Sequence, residues 1–279
     1  MVSRRFFILG LASSIIASLT LGPLMLLRAY SRFGGGAVES ISYRVIGDRV
    51  ELPLPRLDGS MSVERAIANR RSIRNYTFEP LSLDELSQVL WAAYGISETR
   101  YGFKTTPSAG ATYPLEFYAV VYPKGVVLPG GSYLEAGSYR YDPQTHSLAV
   151  VKKGDLSREL YTAGLEQEWI LNAKTCIIIT AIYERTTKRY GERGIRYVLI
   201  EVGHAAQNIY LQATALGLAT VAIGAFHDEL VREIIGAPLN EHVLYMMPIA
   251  KPAKPYTLKL EDLAEHININ RRKIDGNRK

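Results

Sequence analysis

Residues 69–76 read Asn-Arg-Arg-Ser-Ile-Arg-Asn-Tyr, so three arginines and a serine fall within five positions, at Arg70, Arg71, Ser72 and Arg74. A guanidinium group is planar and permanently charged, and it donates in a fork that matches two oxygens of one phosphate. The intervening hydroxyl adds a neutral donor. Charge-assisted hydrogen bonds of this kind are worth roughly 1.5–3 kcal/mol each. The chemistry this spacing predicts is anion capture, phosphate above all. For an isolated cluster, a solvated basic turn is the alternative.

Three further segments let a ligand approach closely. Thr106 to Pro114 is a loop of small residues held at its ends by Pro107 and Pro114. Within it, Ser108, Ala109 and Gly110 allow backbone amides to come near a flat ring system. Ala222 to Phe226 contains Ile223 and Gly224, again without bulk that would hold a ring off. Lys251 lies between Pro248 and Pro252, where one cation would complete the neutralisation begun by the arginines. Each of the three has an ordinary structural explanation when taken alone. A metal centre is not expected: the five histidines show no paired spacing, and the single Cys176 sits inside the apolar run 175–182, as a small buried hydrophobe.

The elements that must position these groups follow from periodicity. A short helix over Ser62 to Ala68 leads into the arginines. Ser82-Leu83-Asp84-Glu85 is a capping box that opens a helix through Leu86, Val89, Leu90 and Ala93, with Gly95 as its stop. Leu115 to Tyr122 reads as a strand, Tyr139 to Val151 as a hairpin turning at 142–145, and Asp155 to Thr162 as a helix. Thr175 to Tyr183 reads as a strand buried on both faces. Tyr197 to Leu216 is the longest helix. A strand over Ala219 to Ile223, a helix over Asp228 to Ile235 and a strand over Leu244 to Ile249 complete the series. Residues 37–60 read as an extended lead-in broken by Pro53 and Pro55. Helices and strands are mixed without strict alternation, which predicts one α+β domain over residues 37–279.

The formal charge is +6, but Arg4, Arg5, Arg28 and Arg32 supply four of those charges ahead of any acid. The body is near neutral, with no interior basic stripe expected beyond the Arg70 cluster, so nucleic acid is not an expected partner. Phe6 to Leu27 holds no charged residue over 22 positions, long enough to span a bilayer as a helix. It follows Arg4-Arg5-Phe6-Phe7, which resembles a twin-arginine export signal; a plain signal anchor is the other reading. Both send residues 1–36 to the membrane, ending in a glycine-rich linker, and put the body outside the cytoplasm. Whether the segment is cleaved stays open.

Taken in order, these segments resemble the nitroreductase family, and its SagB-type dehydrogenase branch in particular. The family's RRSxRxY pattern is met by Arg70, Arg71, Ser72, Arg74 and Tyr76, and its PSAGxxYPLEFY pattern by Pro107, Ser108, Ala109, Gly110, Tyr113, Pro114, Leu115 and Glu116. Its E-x-G-H-x-x-Q-N helix is met by Glu201, Gly203, His204, Gln207 and Asn208. The closing P-[IV]-[GA]-K-P is met by Pro248 to Pro252, with Ala250 where glycine is usual.

The resemblance implies an α+β fold with a central mixed or antiparallel sheet flanked by helices, an intertwined homodimer, and noncovalent FMN. It gives Arg70, Ser72 and Arg74 the phosphate and ribityl chain, Arg71 a contribution partly through its backbone, and Lys251 a second phosphate contact. Pro107, Ser108, Ala109 and Gly110 would come from the partner subunit along the ring, with Ile223 and Gly224 behind its opposite face, bonding near the reactive nitrogen. Tyr256 to Leu260 is a candidate exchanged strand. Tyr190 is a candidate substrate contact, although Arg189 stands where the family's peptide oxidases place a lysine beside the tyrosine. His204 is read as structural.

The expected function is an FMN-dependent oxidoreductase acting in two steps on an unidentified small molecule or peptide. Its electron donor would be NAD(P)H or, if the body is exported, a quinone or redox protein. A non-catalytic flavin- or phospho-ligand-binding protein is the alternative, and a peptide-maturation factor a third reading.

Overall fold

The computed structural model describes residues 45–276. Residues 1–36, with the expected membrane-targeting segment at 6–27, lie outside the described residues. Among the described residues no helix is long and apolar enough to cross a membrane.

The centre is an eight-stranded sheet. In chain order its strands are β1 (Val45–Ile46), β2 (Arg49–Glu51), β6 (Leu115–Val121), β8 (Gly137–Asp142), β9 (Ser147–Lys153), β10 (Thr175–Ala181), β11 (Ala219–Thr220) and β12 (His242–Ala250). They lie side by side in the order β1-β2-β9-β8-β6-β10-β12-β11. Every pairing in this sheet is antiparallel. Two small ribbons stand apart: β3 (Leu81–Ser82) pairs in parallel with β7 (Val126–Val127), and β4 (Ile96–Glu98) pairs with β5 (Phe103–Lys104).

β10 explains the layering. All seven of its residues are buried, because both faces of the sheet are covered. Ile177 and Ile179 point to one side, into a core shared with α2 (Leu83–Tyr94) and α6 (Arg193–Ala215). Cys176 and Ile178 point to the other, into a core shared with α3 (Ser157–Ala163), α4 (Glu168–Asn172) and α7 (Asp228–Ile235). Alternation along a strand sends successive side chains to opposite layers, and each isoleucine buried this way contributes about 1.5–3 kcal/mol. Cys176 is the small buried residue the sequence suggested, its thiol pushed well up by burial.

The helices begin and end for local reasons. Ser62 caps α1 (Val63–Asn69) by accepting from the Arg65 amide. The Ser82 box forms in full: its hydroxyl accepts from the Glu85 amide at 3.1 Å, and the Glu85 carboxylate accepts from the Ser82 amide at 2.8 Å. Gly95 ends α2 through close approach and not through a left-handed turn. A Cβ there would lie 2.2 Å from Trp91 Cδ1. α5 (Glu184–Tyr190) leads into α6, the longest helix of the sheet's flank.

One expectation changes: the lead-in over 37–60 contains a hairpin, β1–β2, turning at Gly47 and Asp48. Residues 256–259, from the candidate exchanged strand Tyr256 to Leu260, pair with no strand of this chain. They run extended along α1, held where the Leu258 amide donates to Asn69 Oδ1 and Arg65 donates to the Leu258 carbonyl. A helix not expected from sequence, α8 (Leu260–Gly276), follows.

Candidate functional site

Three of the four sequence segments meet along the β11 edge of the sheet. Ser72 bridges Thr220, and the Ile73 amide donates to the Thr220 carbonyl at 3.1 Å, so the arginine segment runs beside β11. Four residues on, Tyr76 bridges Pro252, and the Thr77 amide donates to the Lys251 carbonyl. The segment after β11 turns back so that Ile223 exchanges two backbone hydrogen bonds with Met246. The amide of Ile223 is thereby used within the protein, and Gly224, which is exposed, is the member of the pair left to face a ligand.

One residue that the sequence reading passed over ties these segments together. Tyr210, on α6, places its hydroxyl 2.8 Å from Ser72 Oγ and accepts from the Ala222 amide at 2.8 Å. Its ring carries the Arg70 guanidinium, 5.2 Å from the centroid. Arg74 lies over Trp169 and Arg71 over Tyr256, at 5.1 and 3.9 Å. Arg71 also donates to the Ala68 and Arg70 carbonyls, so it braces its own turn.

These groups fit an anionic, partly aromatic ligand. Among the described residues, Arg70, Arg71 and Arg74 form no ion pair with a carboxylate. Ser72 and Arg74 are exposed. Beneath them the Tyr76 hydroxyl, the Thr220 hydroxyl and the Trp169 ring nitrogen are buried without a hydrogen-bond partner in the protein. Unpaired buried donors cost on the order of 1–3 kcal/mol each and mark a place where a ligand or solvent completes the structure. Burial pushes the Tyr76 hydroxyl well above its ordinary pKa, so it stays protonated. Lys251 fits less well: its ammonium is held by Glu85 Oε1 at 2.6 Å, the same carboxylate that caps α2. It reaches a phosphate only by exchanging that partner.

The fourth segment lies elsewhere. Residues 106–110 sit against the middle of α6, where Asn208 donates to Thr106 Oγ1 and the Ser108 hydroxyl helps hold the charge of Glu201. Tyr210, at the arginine segment, lies two residues beyond Asn208 on the same helix, yet among the described residues no hydrogen bond joins residues 107–110 to residues 70–74. Ser108 Oγ also accepts from the Tyr113 amide at 2.9 Å, so this side chain faces inward and the loop presents backbone.

The loop is strained. Gly110, Ala111 and Tyr113 have φ of 61°, 54° and 46°. For the two non-glycine residues the left-handed conformation costs roughly 1–2 kcal/mol each. It is held from inside by α6 and from outside by α5. Arg189 donates to the Gly110 carbonyl at 3.2 Å, Arg185 donates to the Tyr113 carbonyl at 2.9 Å, and Thr112 meets Thr186 at 2.8 Å. Tyr190 packs directly on Gly110, where an added Cβ would come 2.5 Å from its hydroxyl. The candidate substrate residue and the small-residue loop thus form one surface.

Electrostatically the loop is unusual. Lys104, just before it, lays its ammonium on the faces of Tyr94 and Tyr113, 3.9 and 4.8 Å from the centroids. Burial lowers its pKa to about 8, against the pull of Glu116 and Glu201. Glu201 is buried, and burial raises its pKa against hydrogen bonds from Ser108 and Tyr94 and the charge of Lys104. One charge expectation was wrong. Arg185, Lys188, Arg189, Arg193 and Arg196 make a basic run on α5 and the start of α6. Of these, Arg185 alone is ion-paired with a carboxylate among the described residues, to Glu116 at 2.6 Å. The run was legible as composition and was overlooked because Glu184 and Glu192 dilute it.

Known proteins share this chain's sequence pattern and fold. The nitroreductase family model matches residues 67–251. The chain is 47% identical over 206 residues to MJ1384 of Methanocaldococcus jannaschii, a protein that carries the nitroreductase name, covering 74% of this chain and 98% of that one. It is 28% identical over 188 residues to the trifolitoxin operon protein TfxC of Rhizobium leguminosarum bv. trifolii, covering 62% of this chain and about half (49%) of TfxC. A nitroreductase-named crystal structure from Ralstonia eutropha superposes with a TM-score of 0.63 at 24% identity, over 76% of this chain and 94% of that one, which shows the shared fold.

Proposed function

This chain belongs to the nitroreductase family and is a flavin-dependent oxidoreductase, and from that premise we propose that its flavin is FMN, held between two copies of the chain. The observation that carries the proposal is the separation just described. The arginine segment, β11 and Gly224 converge on one edge, while no hydrogen bond joins the small-residue loop to that edge and its backbone faces outward. A second copy supplying residues 107–110 completes the site. A holoprotein with the sedimentation mass of one chain would overturn this.

The bound flavin supplies the two-electron chemistry. The chain's own residues bind, orient and shield it. Arg70 and Arg74 take the phosphate, with Ser72 beside them and Arg71 stiffening the turn. Lys251 joins when it leaves Glu85. Pro107 to Gly110 lie along the ring, Gly224 backs it, and Tyr190 stands at the loop's far side, in reach of a substrate that stacks there. A non-catalytic binding role has no support from family membership in an enzyme family.

Similarity to TfxC favours the SagB-type branch and a peptide or other small-molecule substrate. The twin-arginine-like residues 4–7 and the apolar run 6–27 favour a body outside the cytoplasm, where NAD(P)H is scarce and a quinone or redox protein is the fitting electron partner; protease accessibility in intact cells tests that location. The test of function is an anaerobic titration of the purified protein with NADH, NADPH and a quinol in turn. Bleaching of the flavin absorbance by one donor, and its return with an acceptor, is the expected result. A flavin that no donor bleaches would overturn the enzymatic proposal.

A further inference from the structure

The motif of α6 that the proposed function leaves unused is Glu201 with Asn208, seven residues apart and so on one face of the helix. Both reach the same target. Asn208 Nδ2 donates to Thr106 Oγ1 at 3.1 Å, and Thr106 in turn donates to the Ala93 carbonyl at the end of α2. Glu201 accepts from the Tyr94 hydroxyl at 2.6 Å, and the nearby Ser108 hydroxyl helps hold its charge. Tyr94 also accepts from the Leu115 amide, where the loop enters β6. The carboxylate is 2% exposed, and it is buried beside a cation, Lys104, that lies on the Tyr94 ring without forming an ion pair. A buried carboxylate is a costly way to fill space, and a hydrophobic residue would pack there at less expense.

We infer that Glu201 is a positioning residue for the redox site, a buried bracket that holds residues 106–113 in the strained shape in which their backbone faces the flavin. Two left-handed non-glycine residues persist only where their surroundings over-determine them; Asn208 fixes the start of the loop at Thr106, and Glu201 fixes its end through Tyr94 and the Leu115 amide. Removing it lets Ala111 relax out of the left-handed region, and the loop loses its register on the ring. The inference rests on the flavin-site proposal, yet it has a signature that needs no flavin.

The experiment compares the wild-type protein, Glu201→Ala, and Glu201→Ala combined with Ala111→Gly. Amide hydrogen exchange at 108–113, measured on flavin-free protein, is expected to speed up roughly tenfold or more in Glu201→Ala. In the second variant it should return toward wild type, because glycine holds a φ near 54° without strain. In holoprotein the flavin content should be unchanged, while turnover falls roughly tenfold or more from misplacement of the ring and Ala111→Gly restores part of it. A role confined to core packing gives no such rescue. Unchanged exchange at 108–113 in Glu201→Ala overturns the inference, whatever the flavin does. Failure of the wild-type protein to bind flavin, together with accelerated exchange in Glu201→Ala, leaves the bracket standing and counts against the cofactor proposal instead. Should Glu201→Ala not fold, Tyr94→Phe removes the hydroxyl through which Glu201 holds the loop's end; faster exchange at 108–113 there supports the inference and wild-type exchange overturns it.

Discussion

Arg70 and Arg74 are placed to bind an anion and do little for the fold. Arg70 rests on Tyr210 and Arg74 on Trp169, contacts worth roughly 0.5–1 kcal/mol each at exposed sites. Two charge-assisted bonds to a phosphate are worth several times that. The double change Arg70→Ala, Arg74→Ala is therefore expected to weaken FMN binding roughly a hundredfold or more while moving the unfolding free energy by less than about 2 kcal/mol; equal FMN affinity in a folded double variant removes the phosphate assignment. Lys104 makes a second prediction. Burial holds its folded pKa near 8, below the ordinary 10.5. Between those values the unfolded chain binds the proton that the folded chain has lost, so this residue's contribution to stability rises from pH 8 to 10.5. Denaturation of Lys104→Met across that range should show a shallower rise than wild type, and parallel curves would refute the shift. The arginines were legible because adjacent like charges with a hydroxyl are a rare local pattern. Tyr210 was not, since its partner Ser72 is 138 residues away in sequence and only the packed fold brings the hydroxyls together.

At the scale of elements, local rules served well wherever the decisive contacts were local. The capping box at Ser82 formed as read, and the helix over Asp228 to Ile235 has those same ends. Gly95 was right for a different reason than expected: its extended φ of −68° suits any residue, and the need is for space against Trp91. Gly95→Ala should therefore destabilise the protein by about 1–3 kcal/mol through overpacking, read as a lower denaturant midpoint; an unchanged midpoint would mean that the Trp91 ring moves aside freely. Burial of β10 on both faces was legible from its unbroken apolar run. Its antiparallel neighbours were not, because strand direction depends on connections that periodicity does not report. α8 escaped notice for a physical reason as well. Ile267, Ile269 and Ile274 are β-branched and lower helix propensity, and no residue from Leu260 to Lys273 is buried among the described contacts.

Across the whole molecule, four separated motifs become two groups, both built against the middle of α6: the 106–110 loop at Asn208 and the arginine segment at Tyr210. Family membership accounts for both groups being present in one chain, and on the proposed reading a second copy brings them together. The inference of a flavin from sequence needed four short patterns in order. That the 107–110 loop comes from a partner subunit is read from the resemblance, because the spacing of 70, 108 and 224 carries no distance. The measurement that bears most directly on this account is the visible absorbance spectrum of the purified full-length protein, with the released chromophore identified by mass. One FMN per chain, with the absorbance bands of an oxidised flavin, is the result expected. A protein that stays colourless after incubation with FMN would contradict the account at its centre.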